Sequence, residues 1–327
     1  MRRLPLVFVV LLASCFLLAG CSGRSNVSAT STRSPSSETQ TTAPVATPPT
    51  ATNTVVAGVN NGTLQVGSMD RSYRLFVPPG LKTQRVPLVV ALHGGRGNPE
   101  QFARTSRFDE LATAEGFIVV YPAGFEATFN GGACCGRAAS QKVDDTRFLA
   151  ALVQHLQSVL PLDPSRTFVT GHSNGAIMAF RFACERADLV AGIVPVAGSI
   201  EIPSCAPSRP VPLLAIHGDS DRNHPFEGGQ GSRSIAGVAF RSMPDTLAMW
   251  TKAMSCTSGP SKRSEGALTT SSWSGCRSEA PTRMIVIAGA DHPWPGSATG
   301  PTSALQGQPS QALDASRAAW EFFKSLR

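Results

Sequence analysis
The chain has 327 residues, 42% of them hydrophobic, and carries 29 Lys and Arg against 22 Asp and Glu, for a formal net charge of +7. The basic residues are scattered rather than blocked, which argues against nucleic acid as a partner. The eight cysteines come with no CxxC pair or His/Cys cluster, so disulfides rather than a metal site are their expected use.

The chain opens "MRRLPLVFVVLLASCFLLAGC". Arg2 and Arg3 form a positive start, Leu4 to Leu18 an apolar stretch, and Leu18-Ala19-Gly20-Cys21 a small-residue close, the layout of a secretory signal peptide. A membrane-spanning anchor is the rival reading, but the apolar stretch falls short of the roughly 20 residues a spanning helix needs. The Leu-Ala-Gly-Cys ending resembles the lipobox of bacterial lipoproteins. That resemblance implies cleavage after residue 20, lipidation of Cys21 and a membrane partner through the acyl chains. Residues 21–56 are then a lipidated cysteine plus a Ser/Thr/Pro-rich tether, too poor in apolar residues to offset the entropy of ordering. Residues 57–327 are expected to form one domain.

Within that domain apolar, β-rich runs alternate with amphipathic helical stretches, the pattern of a mostly parallel, doubly wound sheet with helices on both faces. Strands are predicted at 71–78, 86–95, 117–124, 166–171, 191–198, 211–218 and 282–289. Helices are predicted at 99–116, 144–160, 174–186, 244–254 and 310–326, with Asp144 and Asp145 suited to the start of theirs. Ligands of such a sheet bind beyond the C-terminal ends of its strands.

One candidate site lies there. "GHSNG" at 171–175 places Ser173 between two glycines, after a strand and before a helix. That context exposes a serine hydroxyl on a tight turn and aims helix N–H groups at developing negative charge. A serine needs a base that an acid orients. Among six histidines, His292 in "AGADHPWPG" directly follows the last predicted strand. The loop after strand 211–218 offers Asp219 and Asp221, of which Asp221 is preferred. The chain order Ser173, Asp221, His292 is that of a nucleophile, acid and base on this fold class. "HGG" at 93–95 supplies Gly94 and Gly95, which with Asn174 are the candidate oxyanion-hole residues, because glycine lets main-chain N–H groups turn inward. Trp294 and Phe226 are candidate substrate contacts. Cys256 with Cys276 and Cys184 with Cys205 each close a local excursion. Adjacent Cys134 and Cys135 form either a vicinal bridge or bonds to separate partners.

On "PLVVALHGGRGN", "FIVVYPAG", "CCG" followed by "VDDTRF", "TGHSNGAIMAFRFAC", "VPVAGS", "IHGDSD" and "GADHPWPG", the domain resembles the extracellular polyhydroxybutyrate depolymerase and feruloyl-esterase-like group of α/β-hydrolases. The resemblance spans roughly residues 62–325. It implies a single α/β-hydrolase domain without a large cap, and a cofactor-free serine carboxylesterase in which Ser173, Asp221 and His292 form the triad. The implied partner is a small or polymeric ester, met outside the cytoplasm by a lipid-anchored or secreted protein. Asp291 and Pro293 depart from the family's usual Gly-His-Thr-Trp-Pro-Gly pattern, and Thr146 stands where an apolar residue is usual. Two rivals are a peptidase of the prolyl-oligopeptidase type and a surface-binding lipoprotein whose catalysis has been lost.

Overall fold
The computed structural model describes residues 56–81, 84–298 and 307–326. The predicted leader, Cys21 and nearly all of the tether lie outside the described residues.

In chain order the strands are β1 (Gly58–Val66), β2 (Met69–Val77), β3 (Val86–Leu92), β4 (Ile118–Pro122), β5 (Leu162–His172), β6 (Gly192–Val196), β7 (Leu213–Gly218), β8 (Ser258–Glu265), β9 (Leu268–Ser274) and β10 (Thr282–Ile287). They form a single sheet in the order β1-β2-β4-β3-β5-β6-β7-β10-β9-β8. From β4 across to β10 every pairing is parallel, and the pairings outside that block are antiparallel. All of β3, β4, β6 and β7 is buried. That is why these strands read as continuous apolar runs rather than alternating ones.

The helices are α1 (Pro99–Ser106), α2 (Phe108–Glu115), α3 (Gly136–Ser140), α4 (Asp145–Val159), α5 (Asn174–Glu185), α6 (Met243–Ala253) and α7 (Ala315–Ser325). Their starts follow side-chain chemistry. Asn98, Asp144, Ser242 and Asp314 each accept a main-chain N–H three residues on, satisfying a donor the helix itself cannot. One core packs α4, α5 and α6 against the sheet through Phe148, Phe180, Leu247 and Trp250. A second core packs α1, α2 and α7 through Phe102, Phe108, Trp320 and Phe323.

The structure corrects the expected layout in three places. The helix predicted over 99–116 is two helices, because Arg107 takes a left-handed conformation with φ 56° and ends the first. The strand pair β1–β2 and the hairpin β8–β9 extend the sheet at both edges, and neither β1 nor that hairpin was foreseen. Every residue of β8 is exposed, so it carries no apolar signal.

Candidate active site
Strand β5, in the middle of the sheet, delivers Ser173 just past its C-terminal end. Ser173 has φ 55° and ψ −118°, a conformation that costs a non-glycine residue roughly 1–3 kcal/mol, and α5 begins at the next residue. The flanking glycines are required by contact. A Cβ at Gly171 would lie 2.5 Å from the main chain of Gly175, and one at Gly175 would lie 2.2 Å from the Leu92 carbonyl oxygen. No side chain fits where strand and helix approach so closely.

The loops after β7 and β10 bring Asp221 and His292 to the same place. Asp221 Oδ2 lies 2.7 Å from His292 Nδ1, and His292 Nε2 lies 2.9 Å from Ser173 Oγ. An ionised carboxylate only accepts, so Nδ1–H donates to Asp221 and Nε2 is left with a lone pair facing the serine hydroxyl. The second carboxylate oxygen accepts the main-chain N–H groups of Asn223 and His224, each at 2.8 Å. Burial pushes the Asp221 carboxyl up, but the His292 imidazole, His217 and the His224 N–H outweigh it and hold the group well below the usual carboxylate range. Asp221 and His292 are 4% and 3% exposed, so water does not compete for their hydrogen bond. Asp219, the other acid of that loop, instead accepts the Gly289 N–H at 2.7 Å.

Two further histidines support the site, and both are invisible to a search for a catalytic base. The buried ring of His172 donates from Nε2 to the carbonyl oxygen of His292 at 2.8 Å, and its ring centroid stands 4.9 Å from that of His292. Burial drives its pKa down to about 3, so it stays neutral. His93 donates from Nδ1 to the Gly94 carbonyl at 2.8 Å and accepts the Gly124 N–H at Nε2, 2.9 Å away. Desolvation lowers its pKa to about 4.

Gly94 lies against the serine: a Cβ there would fall 3.4 Å from Ser173 Cβ, and one on Gly95 would fall 3.8 Å from Asn174 Cβ. The two glycines expected to contribute to an oxyanion hole therefore lie beside the Ser173–Asn174 elbow. Asn174 does more than its main chain suggests. Its side chain accepts the Phe129 N–H at 2.7 Å and donates to the Phe129 carbonyl at 2.8 Å, pinning the segment after β4 beside the elbow.

A second serine–histidine contact exists nearby. Ser199 Oγ lies 2.7 Å from His224 Nε2 and 2.5 Å from Glu201 Oε1. Ser199 is fully buried, and its hydroxyl is occupied by both neighbours. It has neither the helix start nor the exposure of Ser173, whose side chain is only part-buried in its bond to His292.

One expectation is corrected, that of Trp294. Trp294 is 2% exposed, packed edge-on to Phe102 and near Phe108, with its indole N–H on Ser316 Oγ at 3.1 Å. Its ring also meets that of His172 edge-on, 6.2 Å between centroids, so it packs inside the core rather than offering a surface for substrate. Phe226 packs half-buried against the core, its ring 6.0 Å from that of His217.

The cysteines pair as Cys184–Cys205 and Cys256–Cys276, and the open question at Cys134 and Cys135 resolves as a bridge between the two. Among the described residues no helix is long and apolar enough to cross a membrane.

A serine on a strand–turn–helix elbow, with an acid and a base on later strand-end loops of a parallel sheet, defines an α/β-hydrolase. Residues 71–201 match the model of the family described as esterase PHB depolymerase. One relative, NocK of Nocardia uniformis subsp. tsuyamanensis, bears a name that gives esterase activity as unproven. It is 30% identical over 69% of this chain and 66% of its own length. An Aspergillus niger protein named, again as unproven, for feruloyl esterase C is 26% identical over 52% of this chain and 61% of its own. The chain thus spans somewhat less than two thirds of these curated relatives. Among solved structures, an acetyl xylan esterase from Aspergillus awamori superposes with a TM-score of 0.54, at 17% identity over 72% of this chain and 94% of that one. At that identity the likeness speaks to fold alone.

Proposed function
We propose that the protein is a serine carboxylesterase in which Ser173 is the nucleophile, His292 the base and Asp221 the acid. The observation that carries this reading is the continuous Asp221–His292–Ser173 hydrogen-bond chain, whose tautomer leaves an imidazole lone pair on the serine hydroxyl.

In the proposed reaction Ser173 Oγ bonds to the ester carbonyl carbon as its proton passes to His292 Nε2. The imidazolium so formed is stabilised by the Asp221 carboxylate. Negative charge on the carbonyl oxygen meets main-chain N–H groups of Gly94 or Gly95 and Asn174 at the start of α5. Collapse breaks the ester C–O bond, and His292 returns its proton to the leaving alcohol oxygen. Water, deprotonated by His292, then attacks the acyl-serine. The acid product leaves and the proton returns to Ser173.

The substrate class we infer is that of the family and its relatives: polyhydroxyalkanoate, feruloyl or acetyl esters. The export signal, the lipid anchor at Cys21 and the division into residues 1–20, 21–56 and 57–327 belong to the same reading, resting on the N-terminal sequence.

The test is turnover of p-nitrophenyl acetate and butyrate by the protein and by Ser173→Ala. Turnover lost in the variant supports the reading, with the loss about 10⁴-fold or more by analogy with other triads. Equal turnover in both would move the nucleophile elsewhere. Methyl ferulate, acetylated xylan and polyhydroxybutyrate then rank the substrates.

A further inference from the structure
The residue that precedes the histidine departs from the resembling family's pattern, and its side chain is not free at the surface. The Asp291 side chain is only 8% exposed, although both of its ion-pair partners reach solvent. Its Oδ2 accepts from Arg222 Nε at 3.0 Å and from the same guanidinium's Nη2, with Arg233 Nη1 at 3.4 Å. Its Oδ1 accepts the main-chain N–H of Arg222 at 3.1 Å and that of His292 at 3.0 Å.

The sequence positions of these partners matter. Arg222 directly follows Asp221, and Asp291 directly precedes His292. The ion pair therefore runs beside the Asp221–His292 hydrogen bond and joins the same two loops, one residue away on each. Further bonds extend the seam: Ser220 N–H to the Ala290 carbonyl at 3.1 Å and Gly289 N–H to Asp219 Oδ1 at 2.7 Å. Main chain at Gly307 closes over the carboxylate, so near that a Cβ there would lie 2.3 Å from Asp291 Oδ2. A five-bond carboxylate shielded on one side holds its geometry far better than an exposed surface pair, which contributes little.

We propose that Asp291 is a positioning residue, clamping the loop that carries Asp221 to the loop that carries His292 through its bonds to Arg222. The inference rests on the esterase reading of the site. The clamp touches no reacting atom. It acts by keeping the imidazole at hydrogen-bond distance from both carboxylate and hydroxyl, where small displacements lower the rate steeply.

The experiment compares Asp291→Asn, Arg222→Gln and the double variant in p-nitrophenyl butyrate turnover. It also follows the downfield proton resonance of the His292 Nδ1–H bonded to Asp221. Each single variant should lower kcat about tenfold and leave KM within about twofold, since ground-state binding is untouched. The double variant should be no worse than the worse single, because both changes break one interaction. The downfield resonance should broaden in all three. Arg222 is half exposed, so Arg222→Gln carries the test if Asp291→Asn does not accumulate as folded protein. A kcat and a resonance unchanged from the parent, or losses that multiply in the double variant, would overturn the clamp. Those results leave the esterase reading intact so long as Ser173→Ala abolishes turnover. If Ser173→Ala does not, the nucleophile lies elsewhere, and the proton resonance still reports on the clamp.

Discussion

His172 holds His292 by the backbone: its Nε2–H donates to the His292 carbonyl oxygen at 2.8 Å, across 120 positions of sequence. Burial keeps the ring neutral, and the carbonyl partner, which only accepts, fixes the proton on Nε2. His172 sits beside Ser173 on the elbow, so one turn sets the nucleophile and the height of the loop that carries its base. Replacing His172 with Ala should lower kcat about 10-fold or more, because the base loop loses its support from below. Glutamine, which can still donate at a similar reach, should recover part of that loss. Steady-state kinetics of the two variants checks this, and equal rates for both would refute a hydrogen-bonding role.

Ser199 offers a direct contrast with Ser173. If Ser173 is the nucleophile, Ser199→Ala keeps its reaction with a fluorophosphonate probe while Ser173→Ala loses it. The cost of Ser199→Ala should instead fall on stability. It leaves His224 and Glu201 without their shared partner, about 1–3 kcal/mol for an unsatisfied buried polar group. Probe labelling and urea melts of the two variants separate the roles. Labelling that vanishes in Ser199→Ala would reverse the assignment.

Acid should destabilise the fold well before its carboxylates titrate. His93, His172, His217 and His224 are all held below the ordinary imidazole value of 6.5, chiefly by burial, His93 at about 4 and His172 at about 3. In the unfolded chain these rings take protons near 6.5, whereas the folded chain refuses them. Below that pH the unfolded state binds more protons, so stability is complete above about 6.5 and declines as pH falls towards 3–4. Each such ring contributes a slope of up to about 1.4 kcal/mol per pH unit. The depressed Asp221 carboxyl adds a loss in the same direction once pH drops through the usual carboxylate range. Thermal melts between pH 8 and 4 should show Tm falling from pH 6.5 downwards. A constant Tm from 7 to 4.5 would contradict the buried-neutral assignment.

The Cys184–Cys205 bridge ties the end of α5 to the segment before β7, with a sequence separation of 21. Closing a loop of that size restricts the unfolded chain by about 3 kcal/mol on the chain-entropy account. The paired substitution of both cysteines by alanine should lower stability by about that amount and leave kcat nearly unchanged, since the bridge lies at the far end of α5 from Ser173. Chemical denaturation alongside turnover measures both. A collapse of kcat without loss of stability would place the bridge in the site.

Much of this was legible in the residues. Strands β3, β4, β6 and β7 announce themselves as apolar runs because both their faces are covered by helices. The edge strands were not legible for the converse reason: β8 buries nothing, and β1 only alternates between half-buried and exposed positions. The break at Arg107 carries no glycine or proline to signal it. Trp294 shows the limit of reading a loop as surface. It follows His292 by two residues and yet belongs to the core.

The sequence by itself determined the order of the chemistry. A serine between glycines at a strand end, an acid and a histidine on later strand-end loops, and a glycine pair after an earlier strand are local patterns, each set by neighbours within a few residues. Only the tertiary structure decided which acid faces the imidazole, which histidines stay neutral and why the Asp291 side chain is shielded. Those depend on distances between residues some 70 to 120 positions apart. Desolvation and hydrogen bonding across such separations exist only once the sheet has brought the loops together, and local sequence carries no trace of them.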